Sequence, residues 1–158
     1  MEPVIKILED KMLVGKRMEM SVSNNRTMEL WKSFMPRRNE IKNTLTSALI
    51  SLQVYDSSYH TNFDPDKIFE KWAAIEVADC KIVPNDLEVF TLLGGLYAVF
   101  YYKGLSTDAS IYHYIYATWL PNSGYVLDDR PHFEVLGENY KNNDPNSEEE
   151  IWIPIRKK

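Results

Sequence analysis

The two halves of this 158-residue chain follow the same order of local patterns, and that constrains the fold more than any single motif. Leu13 to Met20 aligns with Leu93 to Phe100, so that Leu13 falls on Leu93 and Gly15 on Gly95, each followed by an apolar alternation. Trp31 to Pro36 and Tyr116 to Pro121 are both aromatic-rich helical turns stopped by proline. Ile50 to Tyr55 then resembles His132 to Gly137, and Trp72 to Val77 resembles Glu150 to Ile155. Each half therefore reads strand, helix, strand, strand. The sequence predicts an α+β domain over residues 1–158. It is a duplicated strand-helix-strand-strand module with pseudo-twofold symmetry, whose antiparallel sheets form a central groove. Module one covers about 1–82 and module two about 86–158, joined through Val83 to Asp86.

Local patterning supports these elements. Met12, Val14, Met18 and Met20 share one face of an extended chain. Gly15 and the Gly94-Gly95 pair lie inside strand patterns, where glycine marks a bulge or a close backbone approach. A first helix follows a cap at Asn25 or Thr27, with Leu30, Trp31, Phe34 and Met35 on one stripe. Pro36 kinks it, and Ile41, Leu45 and Leu49 continue at helical spacing. A second helix, from Asp108 to Leu120, carries Ile111, Tyr112, Ile115, Tyr116 and Trp119.

Charge and cysteine content narrow the function. Eighteen basic residues against 23 acidic ones give a net charge of −5, concentrated in the second half, which argues against a nucleic-acid binder. Cys80, the lone cysteine, precludes an internal disulfide and is expected as a buried thiol beside the apolar run Trp72 to Ala78. His60, His113 and His132 lack metal-ligand spacing, and no glycine-rich phosphate loop is present, so no metal or cofactor is expected. No signal-type or membrane-spanning apolar run occurs, and the expected compartment is the cytoplasm.

The run Trp119 to Val135 (WLPNSGYVLDDRPHFEV) resembles the GyrI-like small-molecule-binding family, also known as AraC-type effector-binding domains. So do Gly95 to Gly104 and the closing Glu150 to Ile155. The resemblance implies two modules with a groove between them that takes amphipathic, often cationic, aromatic compounds. In multidrug-sensing transcription regulators such domains are fused to a helix-turn-helix. Other members sequester drugs or toxins, one group protects DNA gyrase, and some hydrolyse cyclopropane-containing natural products. Here the first strand pattern begins near Val4, which leaves no room for a helix-turn-helix, and direct promoter binding is not expected.

A site for a flat organic cation needs aromatic faces, each contributing about 0.5 to 2 kcal/mol, and a carboxylate held away from water. Aromatic residues make up 13% of the chain, ten of them tyrosines. In the last strand Ile151, Ile153 and Ile155 share the face that meets the helices, which turns Glu150 and Trp152 to the opposite face. Trp72 and Glu76 share a face in the matching strand, and Glu134 faces opposite to Phe133 and Val135. The resemblance also points to Glu150 and to Phe133-Glu134. Alternation and resemblance together nominate Tyr97, Tyr116, Trp119, Phe133, Trp152 and Trp72 as walls. Glu150 is the counter-ion, with Glu134 and Glu76 as further acids. A solvated Glu148–Glu150 run and a salt bridge at Glu134 are the bland alternatives. Asp128, Asp129 and Arg130 are expected to fix their loop.

The leading expectation is a standalone binder of amphipathic, cationic aromatic molecules. A hydrolase of strained genotoxic natural products, with Glu150 or Glu134 as general base, is the enzymatic alternative. A protein-interaction module modulating gyrase is the third.

Overall fold

The computed structural model describes residues 1–158. Nine strands form one mixed-length antiparallel sheet: β1 (Val4–Leu8), β2 (Lys11–Met20), β3 (Thr44–Val54), β4 (Phe69–Val77), β5 (Glu88–Leu92), β6 (Gly95–Lys103), β7 (Tyr125–Leu127), β8 (His132–Leu136) and β9 (Glu148–Lys157). Their order is β1-β6-β9-β8-β3-β4-β2-β5, with β7 flanking β9. The order reads alike from both edges about the β3–β8 pair, so β2, β3 and β4 take the places that β6, β8 and β9 take on the other side. The leading strands are exchanged: β1 pairs with β6, and β5 pairs with β2.

That exchange sets the curvature. Only Glu9 and Asp10 join β1 at one edge to β2 next to the other, and only Leu93 and Gly94 join β5 to β6. Two linking residues span roughly 10 Å, so the ends of the sheet must approach each other and the sheet must roll. The seam is tight. A Cβ on Gly94 would lie 2.0 Å from the Leu8 carbonyl oxygen, and the Gly94 N–H donates to Asp10 Oδ1 at 2.7 Å. Gly15 likewise lets β2 close on β4, where a Cβ would meet the Ala73 carbonyl oxygen at 2.0 Å.

The inside of the roll is a packed core of Leu8, Leu13, Ile50, Leu52, Trp72, Ala74, Leu92, Tyr97 and Phe133. Helices cover the outside. Helix α1 (Thr27–Phe34) follows Asn25, whose side chain accepts from the Thr27 N–H at 2.9 Å, and it buries Leu30 and Phe34 against Val14, Ala73 and Ile75. Pro36 opens a 3-10 turn (Met35–Glu40) that ends at buried Ile41. The helical continuation expected through Leu45 and Leu49 does not occur. Asn43 adopts a left-handed φ of 60°, β3 starts at Thr44, and Leu45 is 60% exposed. The second helix comprises α2 (Ser110–Tyr114), a π-helical turn (Ile115–Trp119) and α3 (Leu120–Asn122). Its Ile111, Ile115 and Trp119 pack on Ala98, Phe100, Ile151 and Ile153. No helix is long and apolar enough to cross a membrane. Cys80 is exposed, against the expected buried thiol, because β4 ends at Val77 and the chain turns into solvent.

Candidate functional site

Strand alternation divides the nominated residues between two faces of the sheet, so no single groove gathers them. Tyr97, Phe133, Trp72 and Trp152 project to the inside of the roll. Phe133 stacks on Trp152 with centroids 5.2 Å apart and meets Tyr97 edge-on at 5.4 Å. Tyr97, Phe133 and Trp72 are buried, so they hold the fold and leave no slot for a ligand. The Tyr97 hydroxyl donates to the Pro131 carbonyl at 2.8 Å, and burial pushes its phenol up to about 12. Trp119 is also core, edge-on to Phe100 at 5.3 Å. Two acids on this inner face are engaged by their own strands. Glu150 accepts from the Trp152 indole N–H at 2.9 Å, just as Glu70 accepts from Trp72 at 2.7 Å. Glu76 pairs with Lys11 at 3.0 Å. Glu150 also lines a separate hollow of about 390 Å³ with Tyr101, Tyr102 and Glu149, away from the rings of Tyr97, Phe133 and Trp72.

Arg130 locks the loop before β8. It pairs with Asp128 at 2.9 Å, donates to the carbonyls of Leu96 (2.6 Å) and Ile155 (3.0 Å), and lies 4.6 Å over the Tyr97 ring. The guanidinium fits against Gly95, where a Cβ would come within 2.7 Å of Nη1.

Glu134 has a different setting. It lies on the outer face, where β3 and β8 meet between the two helix-covered cores. Register places Ser51 opposite Glu134, and Gln53 opposite both His132 and Lys71. This short row of polar side chains interrupts the mostly apolar outer face of the central strands. The Tyr112 hydroxyl donates to Glu134 Oε1 at 3.1 Å. The Gln53 amide, oriented with its nitrogen toward the acceptors, donates to Glu134 Oε2 at 3.0 Å and to the His132 carbonyl at 3.2 Å. Glu134 is half-buried on this face, beneath Tyr112.

Burial raises the Glu134 carboxyl above the usual carboxylate range, while Lys71, Tyr112 and Gln53 pull it back. Burial, together with Glu134 nearby, lifts Glu149 to about 7. Lys71 is lowered by burial, opposed by the charges of Glu134 and Glu149. Desolvation also raises the phenols of Tyr55, Tyr112 and Tyr116, which stay neutral donors at physiological pH.

Aromatic rings wall the cleft. The π-turn adds a residue to the second helix without turning Ile115 and Trp119 out of the core, and Tyr116 is set over β8. Its hydroxyl lies 3.0 Å from His132 Nδ1. Burial lowers His132 to about 3, so it is neutral. After β3 the chain folds back over the same place. Tyr55 stands edge-on to His132 at 5.0 Å, and His60 stacks on His132 at 5.0 Å and on Tyr116 at 5.3 Å. A hollow of about 530 Å³ continues beside these rings, bounded by Leu120, Tyr125 and Leu127. Of the nominated residues, only Glu134 and Tyr116 belong here. Gln53, Tyr55, His60, Lys71, Tyr112, His132 and Glu149 escaped sequence reasoning. The available signal was Ser51, Gln53 and Lys71, polar residues set every second position into otherwise apolar central strands.

A model of the family described as GyrI-like small molecule binding domain matches residues 1–156. The chain belongs to the GyrI-like family. Among solved structures, that of SAV2435 bound to tetraphenylphosphonium shares 18% identity, with a TM-score of 0.65 over 99% of this chain and 94% of that one. EcmrR in its DNA complex matches with a TM-score of 0.73 at 14% identity, over 99% of this chain and 58% of the longer EcmrR. A hydrolase encoded by lin2189 from Listeria innocua matches with a TM-score of 0.62 at 10% identity, over 98% of this chain and 92% of that one. At these identities the likeness shows the shared fold. No curated protein matches the chain by sequence.

Proposed function

We propose that this GyrI-like protein binds an amphipathic aromatic cation in the outer cleft, with Glu134 as counter-charge and Tyr112, Tyr116 and Tyr55 as walls. The observation that carries this reading is one half-buried carboxylate on the outer face, raised by burial, supported by two neutral donors and placed in the same strand as His132, whose ring lines the hollow of about 530 Å³. Such a carboxylate is costly to keep charged unless a cation shares the site. SAV2435, of the same fold, was solved with a lipophilic aromatic cation bound, which suits this choice of ligand class. Lys71 partly offsets Glu134, so the site favours a cation whose charge is delocalised or sits on the Glu134 side. The reading places the protein in the cytoplasm, where its exposed Cys80 stays reduced. Calorimetric titration with tetraphenylphosphonium tests it. Glu134→Gln is expected to weaken binding about tenfold or more, in line with roughly 1–3 kcal/mol for a lost charged partner. Unchanged affinity in that variant contradicts the proposal.

A second reading rests on the two acids. Glu134 and Glu149 share one floor, and Glu149 at about 7 sits where a carboxyl exchanges protons at neutral pH. A cleft of this kind can hydrolyse a strained electrophile, with one acid as base toward water and Tyr112 as proton donor. Mass spectrometry of a cyclopropane-containing alkylator incubated with the protein tests it. Catalytic amounts of water-added, ring-opened product support turnover, and unreacted alkylator excludes it.

A further inference from the structure

The cleft already holds a ring, and that ring belongs to the protein. Tyr116 and His132 lie side by side, joined through the tyrosine hydroxyl and Nδ1, with centroids 6.3 Å apart. The His60 imidazole covers both, tilted only 25° from Tyr116 and 27° from His132. Tyr55 closes the side, edge-on to His60 at 4.9 Å. Stacking on two aromatic rings with a third edge-on is the arrangement that a planar aromatic ligand would adopt on the same platform.

His60 differs from its neighbours in how it is held. Tyr116 lies in the second helix and hydrogen-bonds to His132, which lies in β8. His60 stands in the loop between β3 and β4, is exposed on its outer side, and is held through ring contacts alone. The loop is secured around it. Tyr59 is buried against Tyr55 and Phe69, Asp56 caps Ser58, and Lys67 donates to Ser58 Oγ at 2.8 Å. The anchor is Tyr59, so the imidazole can swing outward while the loop stays in place. Thr61 to Asp66 are exposed and offer no obstruction.

We infer that the Tyr116–His132 platform is an aromatic subsite for a planar ring and that His60 is its resident occupant, displaced when such a ligand enters. The inference rests on the cleft being a ligand site, and it adds the shape of the ligand (at least one flat ring) and an internal competitor for its place. A state in which His60 sits on the platform is not competent to bind, so apparent affinity falls by the fraction of molecules with the seat free.

Proflavine, a flat tricyclic cation, is the probe, titrated by fluorescence against the full chain. His60→Ala vacates the seat and is expected to bind about five- to tenfold more tightly. His60→Phe, with a less easily hydrated ring, is expected to bind about as much more weakly than wild type. In wild type the His60 imidazole proton signals, shifted upfield by the rings beneath, should move downfield as proflavine is added. Tighter binding by His60→Ala together with that shift supports displacement. If wild type binds and His60→Ala binds equally or less tightly, His60 is part of the ligand's wall and the inference is overturned. If Glu134→Gln binds normally while His60→Ala tightens, the counter-charge reading fails and the subsite stands. If neither wild type nor His60→Ala binds, both fall.

Discussion

The two faces of the sheet carry adjacent residues of the same strand to opposite fates. Phe133 points into the roll and is packed on all sides, whereas Glu134 points out into a cleft floored by polar groups. The inner face has a Trp-Glu pair on each side, Trp72 with Glu70 and Trp152 with Glu150, in each of which the acid accepts from the indole two residues along, and Glu70 also pairs with Arg17. The outer face has its acids beneath tyrosines, with an unpaired lysine beside them. An aromatic beside a carboxylate on a strand is therefore insufficient evidence of a ligand site. The curvature of the sheet decides which face has room. Here the inward curl, forced by the two short links between exchanged strands, consumes the inner face.

The difference can be tested from both sides. The largest effect is expected inside. Phe133→Ala should cost about 3–5 kcal/mol of folding free energy, because the roll cannot collapse around the lost ring. Urea unfolding measures this, and a loss under 1 kcal/mol would mean that the roll is loosely filled. On the outer face, Lys71→Met should strengthen tetraphenylphosphonium binding about three- to tenfold by removing a cation beside Glu134, with little change in unfolding midpoint. Weaker binding would show that Lys71 positions the ligand.

Acidity gives a third, smaller contrast. Folded His132 titrates at about 3, against 6.5 for the free side chain. Between those values the unfolded chain holds the extra proton, so the contribution of neutral His132 is present above pH 6.5 and is lost as pH falls toward 3. Glu149 works in the other direction. Its folded value of about 7 exceeds the ordinary 4.5, so its contribution is present below pH 4.5 and is lost as pH rises through 7. Unfolding free energies from pH 4 to 8 should show His132→Asn flattening the acid limb and Glu149→Gln raising stability at pH 8. Parallel curves for wild type and both variants would contradict the burial assigned to the outer cleft. The smallest effect is expected at Glu150. Its change to glutamine should shift Trp152 fluorescence and leave cation affinity within twofold.

Much of the architecture was legible in the sequence. The alternation of Ile151, Ile153 and Ile155 marked the helix-facing side of β9, and the pairs Leu13/Leu93 and Trp72/Glu150 marked segments that take equivalent places in the strand order. The Asp128–Arg130 run announced a loop lock, and the structure shows one. The site was less legible, for physical reasons. Alternation tells which residues share a face but not which face is concave, and the curl depends on β1 pairing with β6, a contact between distant strands. Glu134 faced the helices by the same alternation that turned Glu150 away, so the two could never have lined one groove. The loop around His60 carries no periodic pattern, and its aromatic contacts arise only once β3, β8 and the second helix are assembled. Ile41, Leu45 and Leu49 have helical spacing, but β3 pairing with β4 and β8 claims Leu49.

The most direct test is a matched pair of titrations. Glu134→Gln and Glu150→Gln, each against tetraphenylphosphonium by calorimetry beside wild type, ask which face of the sheet receives the cation. The outer cleft predicts a loss of about tenfold or more in the first and none in the second. Retained affinity in Glu134→Gln with loss in Glu150→Gln would return the site to the inner face and contradict the reading of the roll as closed.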